Sequence, residues 1–154
     1  MFGGFHSWFS TSLAGIDTST NATVTGWRHI VISPDKAAIL RLEHASASLD
    51  TRFGLTNISW IYSKKAGHFH LNVTVPVGTT AEVHFPQLGT LDPVQIKDTR
   101  KGGFGIGDDH AVWHSGRWLP SAPLGLHNIK RISHSGATVL ELGSGFYQLS
   151  ALYQ

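Results

Sequence analysis

Apolar and polar residues alternate through the middle of the chain, and this alternation predicts two strands. Every second residue from 69 to 75 is Phe, Leu or Val, while His68, His70, Asn72 and Thr74 lie between them. The pattern recurs over residues 80–85. Because successive side chains of a strand point to opposite faces, each run predicts a strand with one apolar face. Pro76-Val77-Gly78 separates the two runs, and such a turn predicts an antiparallel hairpin.

The segments on both sides of this hairpin carry further strand and helix patterns. Phe2, Phe5, Phe9 and Leu13 have helical spacing, which predicts an amphipathic helix over residues 1–16. The alternation fails from Gly102 to Leu126, which predicts a long loop of the kind that often carries function. Further strands are predicted at 24–33, 38–50, 55–63, 94–97, 138–142 and 146–151.

These elements together predict a mainly β protein with a single domain over residues 1–154. Short strands separated by turn residues are typical of an antiparallel β-sandwich of jelly-roll or Greek-key type. The sandwich would occupy residues 24–154, with the helix of residues 1–16 in front of it.

Composition limits the classes of function. The chain has 154 residues, of which 41% are hydrophobic and 14% charged, as expected for a folded domain. Its formal net charge is +2 and its basic residues are scattered, so we predict no nucleic-acid partner. No apolar run reaches the length of a membrane span, so no membrane is predicted as a partner. There is no cysteine, which excludes disulfides and thiolate chemistry.

The sequence leaves the localisation open. The first residues lack the charged and apolar regions of a signal peptide, which favours the cytoplasm if no signal was removed. Three glycosylation sequons begin at Asn21, Asn57 and Asn72, and they fit a secreted protein equally well.

The predicted loop concentrates residue types that could form a small site. A carboxylate beside an imidazole can orient it for proton transfer, and tryptophan rings can form a wall against a sugar or an aromatic ring. His110 and His114 would share one face if the segment were helical. The simpler interpretation is a solvated turn with tryptophans filling one end of the sandwich. The candidate catalytic residues are Asp109, His110 and His114, and the candidate ligand-binding residues are Asp108, Trp113 and Trp118.

Three histidines around the predicted hairpin form a second candidate ligand site. His68 and His70 would share one face of their strand, and His84 could lie across the hairpin. Three converging imidazoles can bind a transition metal. A polar outer face of the sheet explains the spacing more simply, so we predict neither a metal nor a cofactor.

Four stretches resemble a known family: GWRHIVISP at 26–34, ASASLDTRFG at 45–54, HLNVTVPVGTTAEVHFP at 70–86 and LELGSGFY at 140–147. They resemble the C-terminal β-sandwich domain of bacterial-type α-L-rhamnosidases, glycoside hydrolases with an (α/α)6 catalytic barrel. Residues 1–16 look like the last helix of that barrel. The resemblance implies that the catalytic carboxylates belong to the barrel, so this chain is not expected to hydrolyse rhamnosides.

Three functions follow as hypotheses. The first is a non-hydrolytic domain that binds a sugar or an aromatic metabolite near residues 102–126. The second is a cofactor-free isomerase, lyase or cyclase that acts on a natural-product intermediate through an Asp/His pair. The third is a structural accessory domain that packs its aromatic helix on a partner, or on a second copy to give a homo-oligomer.

Overall fold

A computed structural model describes residues 14–18, 26–88, 93–98, 110–114, 117–118, 126–131 and 138–153. The predicted helix of residues 1–16 lies almost entirely outside these ranges. The described strands, in chain order, are β1 (Ile16–Thr18), β2 (His29–Ile32), β3 (His44–Thr51), β4 (Gly54–Ser63), β5 (His68–Val75), β6 (Thr80–Phe85), β7 (Pro93–Asp98), β8 (His110–His114), β9 (Arg117–Trp118), β10 (Leu126–Arg131), β11 (Thr138–Leu142) and β12 (Gly145–Tyr153).

The strands form two sheets, which confirms the predicted mainly β sandwich. One sheet has five strands in the order β1-β2-β6-β11-β10, and the other has seven in the order β3-β4-β5-β12-β7-β8-β9. The described pairings are antiparallel apart from β2–β6, which is parallel.

The core lies between the apolar faces of the two sheets. The alternating residues of β5 and β6 are buried as predicted. Phe69 of β5 stacks on Trp60 of β4 at a centroid distance of 6.0 Å and meets the edge of Phe85 of β6 at 6.1 Å. Such aromatic pairs contribute about 0.5–1.5 kcal/mol each beyond the area that they bury. Phe69 therefore links the two sheets.

The predicted hairpin is wrong, although both of its strands exist. β5 pairs with β4 and β12 in the larger sheet, whereas β6 pairs with β2 and β11 in the smaller one. The turn between them crosses from one sheet to the other. Thr79 closes it with its backbone amide and hydroxyl on the Pro76 carbonyl, at 3.2 and 2.7 Å. Ser144 holds the turn from outside, since its hydroxyl accepts from the Gly78 amide and donates to the Thr79 carbonyl.

The predicted strand over residues 38–50 is wrong in its first part. Residues Lys36–Leu42 form a short helix, α1. The Asp35 carboxylate caps it by accepting from the Ala38 amide at 2.8 Å. Glu43 adopts a φ of 62° and ends the helix, after which β3 begins at His44.

The predicted loop over residues 102–126 contains strands. β8 and β9 extend the seven-stranded sheet beyond β7. The predicted strands at 94–97, 138–142 and 146–151 are found as β7, β11 and β12, of which β7 and β12 extend beyond the predicted bounds at both ends. No helix within the described part of the chain is long and apolar enough to cross a membrane.

Candidate functional site

Uncharged polar side chains occupy much of the outer face of the seven-stranded sheet. Strand alternation turns one set of residues into the core and leaves the other set outside. The register of four neighbouring strands then aligns the outer residues in two rows. We call these eight residues the polar face: Ser46, Ser59, Asn72 and Gln148 in one row, and Ser48, Asn57, Thr74 and Phe146 in the next.

The polar face lines a shallow groove of about 450 Å³. Asn72 Nδ2 donates a hydrogen bond to Ser59 Oγ at 3.2 Å, so two strands are linked on its floor. The Asn57 side-chain oxygen is buried and has no hydrogen-bond partner within the described residues. Phe146, at one end of the groove, is 50% exposed. The groove thus offers amide and hydroxyl groups beside an aromatic ring.

This arrangement suits a ligand with many hydroxyl groups. Ligand sites combine a few placed polar groups, which set orientation, with apolar or aromatic surface that removes water. A sugar ring presents hydroxyls around its rim and C–H groups on its faces. Among the described residues that line the groove, none carries a carboxyl group. Glycoside hydrolysis uses a pair of carboxyl groups, and the described lining of this groove does not supply that pair.

Sequence reasoning did not identify the polar face as a site. Its signal is the recurrence of Ser, Asn and Thr at alternate positions of three strands. Two predicted sequons, at Asn57 and Asn72, lie in this face. The pattern becomes a surface only when the strand order is known.

The structure separates the three histidines of the second candidate site. His68 and His70 stack on one face of β5 with a centroid distance of 5.9 Å and an interplanar angle of 10°. His84 lies on β6 in the other sheet. Its predicted position across a hairpin from His68 is wrong because that hairpin does not form. Within the described residues, no three His, Asp or Glu side chains are grouped as metal ligands.

His84 instead belongs to a cluster on the outer face of the five-stranded sheet. The Glu82 carboxylate lies between two imidazoles, 3.3 Å from His84 Nε2 and 3.7 Å from His29 Nε2. The other ring nitrogen of His29 hydrogen-bonds Thr80 Oγ1 at 2.8 Å. The parallel β2–β6 pairing brings these residues together from distant parts of the sequence.

Most residues of the first candidate site lie in strands. His110, Trp113 and His114 belong to β8 and Trp118 to β9, so the helical arrangement considered for His110 and His114 does not occur. Asp108 and Asp109 lie outside the described residues.

The register of β8 assigns its positions to the two faces of the sheet. Trp113 is the register partner of both Ile96 and Trp118, whereas His114 is the partner of Gln95 and Arg117. Register partners share a face, so the Trp113 and Trp118 positions lie on the face of buried Ile96 and the His114 position on the other. The catalytic roles of Asp109, His110 and His114 stay predictions.

Comparisons with known proteins connect the fold to one family. The family model described as the bacterial alpha-L-rhamnosidase C-terminal domain matches residues 15–100, more than half of the chain. The alpha-L-rhamnosidase from Dictyoglumus thermophilum has 22% identity and a TM-score of 0.66, over 98% of this chain and 14% of that enzyme. The Streptomyces avermitilis alpha-L-rhamnosidase, solved in complex with L-rhamnose, has 23% identity and a TM-score of 0.55, over 93% of this chain and 10% of that enzyme.

These structural likenesses are below 25% identity and support the fold alone. The chain spans a small fraction of the length of both enzymes. Among curated proteins, no significant match was found.

Proposed function

Since this chain belongs to the bacterial alpha-L-rhamnosidase C-terminal domain family, we propose that it is a non-hydrolytic domain that binds carbohydrate on its polar face. The observation that carries the proposal is the groove of about 450 Å³, with its rows of Ser, Asn, Thr and Gln beside a half-exposed phenylalanine. Within residues 102–126, the described strands β8 and β9 lie in the same sheet, beyond β7. The proposal therefore places the ligand on β3, β4, β5 and β12 rather than on β8 and β9.

Asn57 and Asn72 are the main recognition groups in this proposal. The Asn72 amide offers an acceptor oxygen and a donor nitrogen, which matches the dual character of a sugar hydroxyl. The Asn57 oxygen is buried, so Asn57 would contribute its amide nitrogen as a donor. Phe146 packs on the C–H face of the same sugar ring. The groove is open and shallow, so the expected affinity is weak, with a dissociation constant on the order of 1 mM or about −4 kcal/mol.

L-Rhamnose and its glycosides are the first ligands to test, because L-rhamnose is the sugar bound in the Streptomyces avermitilis relative. Titration of the isotope-labelled chain with each sugar, followed by NMR, detects millimolar binding. We expect the amide signals of β4, β5 and β12 at the groove to shift and those of β2 and β6 to remain unchanged. The proposal would be contradicted if no rhamnoside shifts an amide signal at about 20 mM, which is about 20-fold above the expected dissociation constant.

Two substitutions and one control separate the groove from the rest of the surface. Phe146→Ala and Asn72→Ala should each weaken binding by about tenfold, or about 1.4 kcal/mol. Leu42→Ala should leave the affinity unchanged, since Leu42 is similarly exposed, at 44%, but lies on α1 outside the groove. If Phe146→Ala binds as tightly as the original chain, the ligand does not lie on the polar face.

A structural accessory role is the second candidate. The same fold makes up 14% of the length of one much longer enzyme and 10% of another. This supports a role in which the chain packs on other domains. The predicted aromatic helix would supply the contact. Replacing Phe5 and Phe9 with serine should then raise the solubility of the isolated chain and abolish self-association through this helix. Unchanged behaviour of that variant would remove the support for this role.

A further inference from the structure

β3 forms one edge of the seven-stranded sheet. Within the described residues it pairs with β4 alone. The pairing is unbroken along all eight residues of β3, HASASLDT, so no bulge bends this edge away. The strand also lacks lysine and proline, which commonly protect a sheet edge from further pairing. An edge that is long, regular and composed largely of small residues is suited to accept another strand.

The direction of the backbone groups of β3 follows from one hydrogen bond. The Tyr62 amide donates to the Glu43 carbonyl at 2.6 Å, so Glu43 and every second residue after it bond to β4. The amides and carbonyls of the intervening residues face the open edge. These residues are His44, Ser46, Ser48 and Asp50, and their side chains are exposed.

The sequence of β3 is complementary to itself in the antiparallel direction. With Ala47 of two copies on a two-fold axis, His44 of one copy lies opposite Asp50 of the other, and Ser46 lies opposite Ser48. Each of these opposed pairs has outward-facing backbone groups and can exchange two hydrogen bonds. On the inner face, Ala45 of one copy then lies opposite Leu49 of the other, so apolar positions meet apolar positions.

We propose that two copies of this chain pair through β3 in this register and form one continuous sheet. A two-fold interface brings a surface against the same surface of a second copy, so that surface must be complementary to itself. The opposed residues of β3 match in charge and in side-chain size. Within the described residues, neither His44 nor Asp50 has an ion-pair partner in the single chain.

The pairing would also join two polar faces. Ser46 and Ser48 line the groove and lie at the proposed interface, so the grooves of the two copies would become one surface across the axis. The proposed dimer does not require sugar binding. Sedimentation tests the dimer, and the NMR titration tests sugar binding.

Sedimentation velocity of the full chain, from about 1 to about 500 µM, tests the proposal, because small interfaces associate weakly. We expect a monomer–dimer equilibrium. His44→Glu should weaken the dimer at least about tenfold, because it places carboxylates opposite each other twice. Adding Asp50→Lys to His44→Glu should restore the dimer dissociation constant to within about threefold of the value for the unsubstituted chain. Ser48→Pro should abolish the dimer, since its missing amide hydrogen faces the edge and not β4.

His70→Glu is the matched control. It makes the same charge change on the same face, in the row of His44 but on central strand β5. It should leave the dimer unchanged, and circular dichroism should show each variant folded. A chain that is monomeric at every concentration overturns the proposal. So does a dimer that Ser48→Pro leaves intact, or one that is lost through Phe5→Ser instead. Failure of the double variant to recover overturns the register.

Discussion

Replacing Gly67 with alanine should destabilise the protein much more than the same change at Gly78. Both glycines lie in turns with a left-handed φ, +65° for Gly67 and +78° for Gly78. Alanine pays about 1–2 kcal/mol in that conformation at either position. The two sites differ in what surrounds the new methyl group. At Gly78 nothing lies within 4 Å, whereas at Gly67 the methyl group would overlap the Tyr153 carbonyl oxygen at less than 3.0 Å.

Relief of that overlap requires the end of β12 to move. The Tyr153 amide donates to the Gly67 carbonyl at 2.8 Å, and loss of this hydrogen bond costs about 1 kcal/mol. The Tyr153 ring also packs edge-on against Tyr62 at 6.4 Å, and loosening this contact costs about another 1 kcal/mol. We therefore expect losses of about 3–4 kcal/mol for Gly67→Ala and about 1–2 kcal/mol for Gly78→Ala.

Urea unfolding followed by tryptophan fluorescence measures both free energies of unfolding. Asparagine variants provide a second comparison, because asparagine tolerates a left-handed φ but still carries a Cβ. Gly78→Asn should be close to the original stability, while Gly67→Asn should remain destabilised by about 2 kcal/mol or more. If the two alanine variants lose equal stability, the end of β12 does not lie against this turn.

Substitutions at Asp35, Trp60 and Tyr147 test three other contacts by the same unfolding measurement. Asp35→Ala removes the cap of α1 and should cost about 1 kcal/mol, whereas Asp17→Ala, at an exposed position, should cost less than about 0.5 kcal/mol. Trp60→Ala should cost about 3–5 kcal/mol because Trp60 is fully buried. Trp60→Phe should cost far less, since the Trp60 Nε1 has no partner within the described residues. Tyr147→Phe removes a hydrogen bond to the Gly143 carbonyl and should cost about 1 kcal/mol. Unchanged stability of Asp35→Ala, Trp60→Ala or Tyr147→Phe would count against the corresponding contact.

Strand alternation predicted which residues of β5 and β6 are buried but not which strands pair. Both strands turn an apolar face to the same core, and they do so from opposite sheets. A strand pattern specifies the buried face and leaves the hydrogen-bonding neighbours undefined. The Pro/Gly turn was equally compatible with a hairpin and with a crossing between sheets. The hydroxyl of Ser144, 65 residues away from Thr79, helps to fix the second outcome.

The short helix α1 was missed for a different reason. Seven residues are too few for periodicity to separate a helix from a strand. The usable signal was local, since Pro34-Asp35 is a typical helix start and Asp35 is its cap. The left-handed Glu43 that ends the helix gives no comparable signal, because a non-glycine residue rarely adopts this conformation.

The candidate site was the least predictable part. Sequence reasoning favours residues with strong individual chemistry, such as the Asp and His residues near position 110. The polar face consists of residues that are individually unremarkable and that four strands align in two rows. The cluster of Glu82 with His29 and His84 could not be predicted for the same reason. His29 and Glu82 are far apart in sequence and come together only through the parallel pairing of β2 with β6.

β12 has a consequence for how the protein is made. This strand follows all the other described strands in sequence, yet it lies between β5 and β7 in the middle of the larger sheet. A ribosome-bound chain that has emerged only as far as residue 142 therefore holds two unjoined half-sheets, and each exposes a bare edge to its surroundings. Pairings between distant parts of a chain form slowly. The two half-sheets would stay unjoined until β12 inserts between β5 and β7.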